Sequence, residues 1–439
     1  MLKLYNTLTK NIEDIPKKDH LNLYTCGPTV YNYAHIGNMR SYVMADLLYR
    51  TLKYDGYKPH WVMNITDIDD KTIKGAIEKY GPNAGVEELK KFTDVYYQAF
   101  LKDLEEMNVL KDEINFYRVT DVIPKIQDFI LKLIEKGYAY KADDGSTYFS
   151  IEKYQKDFGD YGALVGEKFL EGKKIGARVK VDEYEKDNLS DFALWKSWDD
   201  KDAQIFWDHP VLGKGRPGWH IECSVINYIA FKGEPTDIHT GGIDLIFPHH
   251  TNEIAQSQPL YRPFTNYWHH CNHLMVDGGK MAKRLGNIYT INDLKEKGFS
   301  GQDLRYFFMT SGFGIAQNFT FEGLLAARTA REKFLDMQAG GNMDDFIKAV
   351  DDNLNFPKAL ASIWSADKLN KDILEITGLK KESTMQVPDE VNEIIKLREE
   401  ARNNKDFTKS DELRKQIEAL GYEVMDTPEG QKVKKKINI

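Results

Sequence analysis

The sequence predicts an α/β protein with a parallel sheet in its N-terminal half, an α+β segment inserted into that sheet domain, and a helical C-terminal part. Three observations lead there. A strand–helix–strand pattern runs from residue 21 to residue 64, the texture from about 140 to 205 turns charge-rich with short strand signals, and helical spacing dominates from Ser300 almost to the end. At roughly 150 residues per domain, 439 residues allow about three domains with sizeable cores.

The first strand is LNLYT, Leu21 to Thr25, short and β-prone, followed by turn chemistry at Gly27 and Pro28. From Ile36 to about Tyr54, Val43, Leu47, Leu48 and Leu52 recur at helical spacing, and Gly56 supplies a stop. HWVMN, His60 to Asn64, reads as the next buried strand. A strand–helix–strand crossover implies parallel strands, with ligands at their carboxyl ends. Glu87 to Leu104 and Thr120 to Gly137 read as helices, and AYKADDGSTYFSI as a hairpin about Asp144-Gly145. Strand-like and Gly-rich segments return from GRPGWHIEC to about residue 290. The helical region is broken at 339–345 and 378–390, and its last helix, Lys405 to Leu420, places Leu413, Ile417 and Leu420 on one face before Gly421.

Composition narrows the function. Hydrophobic residues at 41% and charged residues at 29% are an ordinary globular balance. Three cysteines, Cys26, Cys223 and Cys271, suit a reducing compartment better than a disulfide scaffold. The N-terminus lacks an apolar stretch of signal-peptide length, and no run approaches the ~20 residues of a membrane helix, so a cytoplasmic protein without a membrane partner is expected. A net charge of −8 argues against a simple basic nucleic-acid binder, so any polyanion must be met locally. The basic run Lys432, Lys434, Lys435 and Lys436 reads as a solvated tail.

Several segments could carry chemistry. His35 in AHIGN sits where a loop enters the first long helix; Gly37 permits close backbone approach and the helix N-terminus favours phosphate, although a plain turn-and-cap also fits. His249 and Glu253 are four apart, on one face of a helix, where they could hold a metal or merely be wet; His250 should point elsewhere. Cys26 and Cys223 read singly as small buried residues. Placed at active-edge turns of one sheet, they would complete a four-ligand zinc set with His249 and Glu253. GGKMAKRLGN puts Lys280, Lys283 and Arg284 in a glycine-flanked loop that could close over a polyphosphate or simply be solvated. In NITDIDDK, Asp67, Asp69 and Asp70 could hold magnesium or serve as caps. In DIHTGGIDL, His239 and Asp244 flank two glycines, a place for ribose hydroxyls or an ordinary turn.

In this order the segments resemble the class I aminoacyl-tRNA synthetases, and among them the cysteinyl-tRNA synthetase family. AHIGN is similar to the HIGH signature, with Asn38 at the fourth place, and KMAKR to KMSKS. CGPTVYNYAHIGN, NITDIDDK, DFALWK, GKGRPGWHIECS, FPHHTNEIAQS and the C-terminal REEARNNKDFTKSDELRKQIEALGYEVMDTPEG also match, so the resemblance covers nearly the whole chain.

The resemblance implies a Rossmann-like catalytic domain over 1–135 and 216–300, an inserted connective segment over 136–215, a helical bundle over 301–390 and a small anticodon-binding unit over 391–439. It implies one Zn²⁺ per chain on Cys26, Cys223, His249 and Glu253. ATP with Mg²⁺ would meet His35, Gly37, Asn38, Asp244 and Lys283, with Lys280 beside them on the mobile loop. Thr66, Trp219 and His239 would line the amino-acid pocket, and the partners would be L-cysteine, ATP and tRNA(Cys), acting on a monomer. Ala282 and Arg284 depart from the serines of KMSKS, and Thr251 from a usual glutamate; Cys271 reads as core. Three other readings stay open: a cysteine ligase acting on an amino sugar, a silent zinc protein that binds RNA, and a zinc hydrolase built on His249 and Glu253.

Overall fold

The structure is a computed structural model that describes residues 1–166, 175–179, 189–340, 343–366, 368–381, 387–427 and 430–437. Its centre is a five-stranded, all-parallel sheet. In chain order the parts that position the site are β1 (Leu21–Thr25), α1 (Ile36–Tyr54), β2 (Pro59–Ile65), β3 (Ile114–Arg118), α2 (Trp219–Ala230), β4 (Thr236–Gly242), α3 (Thr251–Ser257) and β5 (Thr265–Cys271). The strands lie in the order β5-β4-β1-β2-β3, so the winding reverses between β1 and β4. Ligands of such sheets sit at the carboxyl ends of the strands flanking that reversal.

Both faces of the sheet are covered, and every residue of LNLYT is buried for that reason. Leu21, Leu23, Trp61, Met63 and Ile65 enter one core with α1 and the C-terminal helices. Tyr24 and Val62 enter the other with α2. The expected α1 forms over the bounds its periodicity gave, capped by His35 and released before Gly56 at φ +81°.

Between β3 and α2 the chain builds a second sheet. Ala139–Lys141 and Thr147–Phe149 form the expected hairpin, Leu189–Ser197 pairs with the second of them, and Gly215–Pro217 adds an edge. Parts of the expected insertion, 167–174 and 180–188, lie outside the described residues. After β5 come β6 (Leu274–Val276), β7 (Gly279–Lys280), the helix α4 (Ile291–Glu296) and β8 (Gln317–Phe319). β6 pairs antiparallel with β7 and parallel with β8, so the region after Ser300 is not purely helical: QNF returns to pair beside the parallel sheet's last strand.

Two further expectations are corrected. GWHIECS is not strand-like; Trp219–Ala230 is a helix, because a segment buried nearly all round shows no period that separates a buried helix from a strand. The lysine run is not a free tail. Gly430–Lys435 pairs antiparallel with Tyr422–Thr427, where Val424 and Val433 face each other and Tyr422 and Val424 alternate toward a small core, an alternation that the charges obscured. Lys434 reaches Glu332 at 2.7 Å, which docks this hairpin on the helix Phe321–Leu335.

Candidate active site

The loop after β1 is shaped by one close approach. A β-carbon on residue 27 would lie 1.7 Å from the Asn64 carbonyl oxygen, so only glycine fits there. Asn64 in turn accepts from the Gly27 N–H at 2.8 Å and from the Tyr24 hydroxyl at 3.1 Å. This fixes Cys26 at the carboxyl end of β1. Cys223 arrives from the second turn of α2, not from an edge turn as expected, and its Sγ lies 3.8 Å from Cys26 Sγ.

His249 and Glu253 complete the group. Phe247 is extended inside a wide turn over Ile246–His250, and α3 starts at Thr251. His249 Nε2 lies 3.4 Å from Cys223 Sγ and 3.1 Å from Glu253 Oε1, while Cys26 Sγ is 3.9 Å from the same oxygen. One donor atom from each of the four falls within 4.8 Å of all the others, and all four residues are buried. A tetrahedral zinc with bonds of about 2.0–2.3 Å needs donor separations of about 3.3–3.8 Å. The residues therefore fit zinc in donor type, and the separations of 3.1 to 3.9 Å straddle that window, so small side-chain shifts would close the site on the ion.

The electrostatics point the same way. Burial works against charge throughout, yet the Cys26 hydrogen bond and the His249 imidazole bring Cys223 down to about 6. Burial and the Cys223 hydrogen bond push Cys26 up. Against burial, His239 and His249 hold Glu253 down to about 2, and Cys223 and Glu253 lift His249 to about 10. The His249 proton thus balances part of the negative charge of the Cys223 thiolate and the Glu253 carboxylate, and a dication would displace that proton and take over its role.

Sequence reasoning missed the histidines behind this group. His250 does not point elsewhere: its Nε2 is 3.3 Å from Cys26 Sγ, and its Nδ1 is 2.8 Å from His270 Nε2, whose other nitrogen reaches the Thr7 hydroxyl at 2.7 Å. Cys26, His239, His250 and Glu253 form a second group within the same 4.8 Å limit. Helical spacing does send adjacent residues apart, but His249 through Ser257 are buried without a break, so His250 meets protein on its side of the turn as His249 does on the other. His220 adds Nδ1 at 3.2 Å from His249 Nδ1. The adjacent HH of FPHHTNE was the available signal.

Of the expected pocket residues, Trp219 stacks on His249 with ring centroids 4.2 Å apart. The Thr66 hydroxyl donates to Glu222 Oε2 at 2.8 Å. His239 is wholly buried, stacked on Trp268 at 4.3 Å, with Nε2 at 3.1 Å from Glu253 Oε2.

The second cluster lies at the N-terminus of α1. His35 Nδ1 accepts the Asn38 N–H at 3.2 Å, and Asn38 Oδ1 accepts the His35 N–H at 3.2 Å. Burial lowers the His35 pKa, with Asp244 opposing, so the ring is neutral at pH 7. Since Nδ1 is the acceptor, the proton sits on Nε2, a donor suited to a phosphate oxygen. Asp244 lies on the turn Ile243–Leu245, its carboxylate folded back over Gly242. The basic loop meets the same helix end. Ile36 N–H donates to the Tyr289 carbonyl at 2.8 Å, and His35 pairs with Thr290, the N-cap of α4. Met281 lies over Gly37. Lys280 ends β7, exposed; Lys283 starts a short turn, and its side chain lies outside the described residues. Asp67, Asp69 and Asp70 are occupied structurally: Asp67 pairs with Arg118 at 2.9 Å, Asp69 caps the helix Asp70–Tyr80, and Asp70 pairs with Arg216 and Lys196.

The comparisons with known proteins agree. A family model described as "tRNA synthetases class I (C) catalytic domain" matches residues 12–329, and one described as "Cysteinyl-tRNA ligase anticodon binding domain" matches residues 384–433. The chain is 42% identical to the cysteine–tRNA ligase of Chlamydia caviae, over 99% of this chain and 98% of that protein. It is 40% identical to the cysteine–tRNA ligase of Protochlamydia amoebophila over the same shares. Among solved structures, a Mycobacterium tuberculosis methionyl-tRNA synthetase in complex with methionyl-adenylate shares the fold, with a TM-score of 0.55 at 14% identity, covering 87% of this chain and 84% of that one.

Proposed function

Since the chain belongs to the cysteine–tRNA ligase family of class I aminoacyl-tRNA synthetases, we propose that it activates L-cysteine with ATP and transfers the cysteinyl group to the 3′-terminal ribose of tRNA(Cys). The observation that carries the substrate is the convergence of Cys26, Cys223, His249 and Glu253. In the first step a carboxylate oxygen of cysteine attacks the α-phosphorus of ATP-Mg, and pyrophosphate leaves. In the second a ribose hydroxyl attacks the adenylate carbonyl, and AMP leaves. Neither step needs an enzyme nucleophile, so rate comes from positioning and from stabilising phosphate charge.

His35 donates from Nε2 to a phosphate oxygen, and the positive end of the α1 dipole, left open to close approach at Gly37, faces the same anion. Lys280 and Lys283 bring positive charge to the leaving pyrophosphate, and Asp244 accepts from the ribose. Thr66, Trp219 and His239 shape the amino-acid end. Cys26, Cys223, His249 and Glu253 would hold zinc, which when bound would offer the substrate sulfur a soft partner that a serine hydroxyl matches poorly. This set is preferred to the one with His239 and His250 because it has two sulfurs; those histidines then orient Glu253 and Cys26 from behind. A pocket sensing shape alone separates such a pair by only about 1–3 kcal/mol.

The C-terminal match to an anticodon-binding domain favours tRNA over an amino sugar as acceptor. The test is transfer of radiolabelled cysteine from an ATP-containing mixture onto tRNA. Base-labile label on tRNA supports the reading; cysteine-dependent pyrophosphate exchange with no labelled tRNA moves it to another acceptor, and no exchange at all to a silent RNA-binding protein.

A further inference from the structure

Arg40 lies on α1, five residues after His35, and is wholly buried. Its acceptors among the described residues are backbone carbonyls, not a carboxylate. Nη1 donates to the Asn272 carbonyl at 2.7 Å and the His273 carbonyl at 3.3 Å; Nη2 donates to the Gly312 and Ile315 carbonyls, each at 3.0 Å. Nε is left without a partner. A buried guanidinium held by carbonyl dipoles and by the Phe313 ring, 5.6 Å away, is a costly way to fill a core, because desolvation is offset by no carboxylate. What the four bonds achieve is geometric.

The acceptors sit at the roots of one small sheet. Asn272 and His273 join β5 to β6, and Gly312 and Ile315 precede β8. β6 pairs with β7, whose last residue is Lys280, and with β8, register Leu274↔Gln317. The two roots are also tied to each other: Asn272 N–H donates to the Phe313 carbonyl at 2.8 Å, and Asn272 Nδ2 to the Gly314 carbonyl at 3.1 Å. Past Lys280, the Asn287 side chain bridges the Ala282 N–H and the Lys280 carbonyl, which closes the basic loop as a unit on β7.

One helix thus holds both halves of the phosphate machinery, with His35 and Asn38 at its end and the root of the lysine-bearing sheet one turn further in. We propose that Arg40 is a positioning residue for amino-acid activation, setting the distance between the His35 end of α1 and the loop that carries Lys280 and Lys283. It touches no substrate, so its effect falls on the step in which those lysines meet pyrophosphate. The inference rests on the activity proposed above. Transfer from a preformed adenylate involves no pyrophosphate, and the two steps should separate.

The test compares wild type, Arg40→Lys and Asn272→Ala in cysteine-dependent pyrophosphate exchange and in single-turnover transfer from preformed cysteinyl-adenylate to tRNA, with thermal midpoints. Arg40→Lys keeps the charge but cannot span both roots. It should lower exchange kcat/KM for ATP at least about 10-fold and leave transfer within about 2-fold. Asn272→Ala removes a half-buried side chain that ties the roots, so it tests the same geometry without threatening the core; it should lower exchange about 3-fold with its midpoint unchanged. Equal losses in both steps, or none in exchange for a folded Asn272→Ala, overturn the inference. Wild type without any exchange overturns the functional reading itself.

Discussion

Met281 rests directly on Gly37: a β-carbon on residue 37 would stand 2.2 Å from Met281 Cε and 3.1 Å from His35 Nδ1. Gly37 is in the first turn of α1 with an ordinary helical backbone, so glycine there is not required by local conformation. Alanine would improve helix propensity by about 0.5–1 kcal/mol while displacing the loop methionine and crowding the imidazole. Gly37→Ala should therefore leave the thermal midpoint unchanged or higher and raise the KM for ATP in pyrophosphate exchange about 10-fold or more. A stable variant with normal ATP kinetics would remove Met281 and His35 from the ATP site.

The metal reading makes a sharper demand. Purified protein should carry about one zinc per chain, and Cys223→Ser should lower that content. Removing zinc with a chelator should collapse the preference for cysteine over serine in adenylate formation to the ~10–200-fold that shape alone allows. The measurement is pyrophosphate exchange driven by each amino acid, before and after metal removal and again after zinc is restored. Strong preference for cysteine in a zinc-free preparation would mean that the sulfurs of Cys26 and Cys223 serve the fold and not the choice of substrate.

How far these features were legible depends on which forces set them. β1 and α1 formed over the bounds read from local pattern, since a fully buried parallel strand and a capped helix are both written in nearby residues. Of the carboxylates of NITDIDDK, Asp69 took the cap role open to it from sequence, whereas Asp67 and Asp70 pair with Arg118 and Arg216, partners that only the fold brings near. The misreadings share one cause, which is tertiary context overriding local period. Trp219–Ala230 is buried on nearly every side and mixes apolar residues with His220, Glu222, Ser224 and Asn227, so no local period separates helix from strand. His250 meets Cys26 because its segment is buried on every side, and β8 exists only because β6 lies beside it.

The C-terminal hairpin changes what its lysines should do. Lys434 is engaged by Glu332, and the exposed Lys436 is not in an ion pair among the described residues. Each phosphate contact contributes about 0.7–0.9 to the slope of log K against log salt. Lys434→Ala should leave the salt slope of tRNA binding within about 0.3 of wild type, because its charge is already neutralised inside the protein. It should also loosen the hairpin, seen as faster amide exchange over 422–435. A slope change near a full unit would instead place Lys434 on the RNA.

Asp103 gives a stability profile that can be checked without substrate. It lies on the helix Val86–Glu106, where burial, reinforced by Glu106 and opposed by Lys295, raises its pKa to about 7 from an ordinary value of 3.8. Between those values the folded chain binds a proton that the unfolded chain has lost. Stability therefore falls as pH rises from about 4 to 7, then levels off once the group is ionised in both states. Asn has nearly the same shape and no charge, so Asp103→Asn should match wild type near pH 4 and exceed it above pH 7. With allowance for partial exposure the gain is on the order of 1–2 kcal/mol, a midpoint rise of about 2–4 °C. Thermal melts of the two proteins at pH 4.5, 6 and 8 decide it. A gap that opens with pH places a neutral carboxyl at Asp103 in the native state, whereas a constant gap means the side chain is already ionised across the range and its burial is relieved by Lys295.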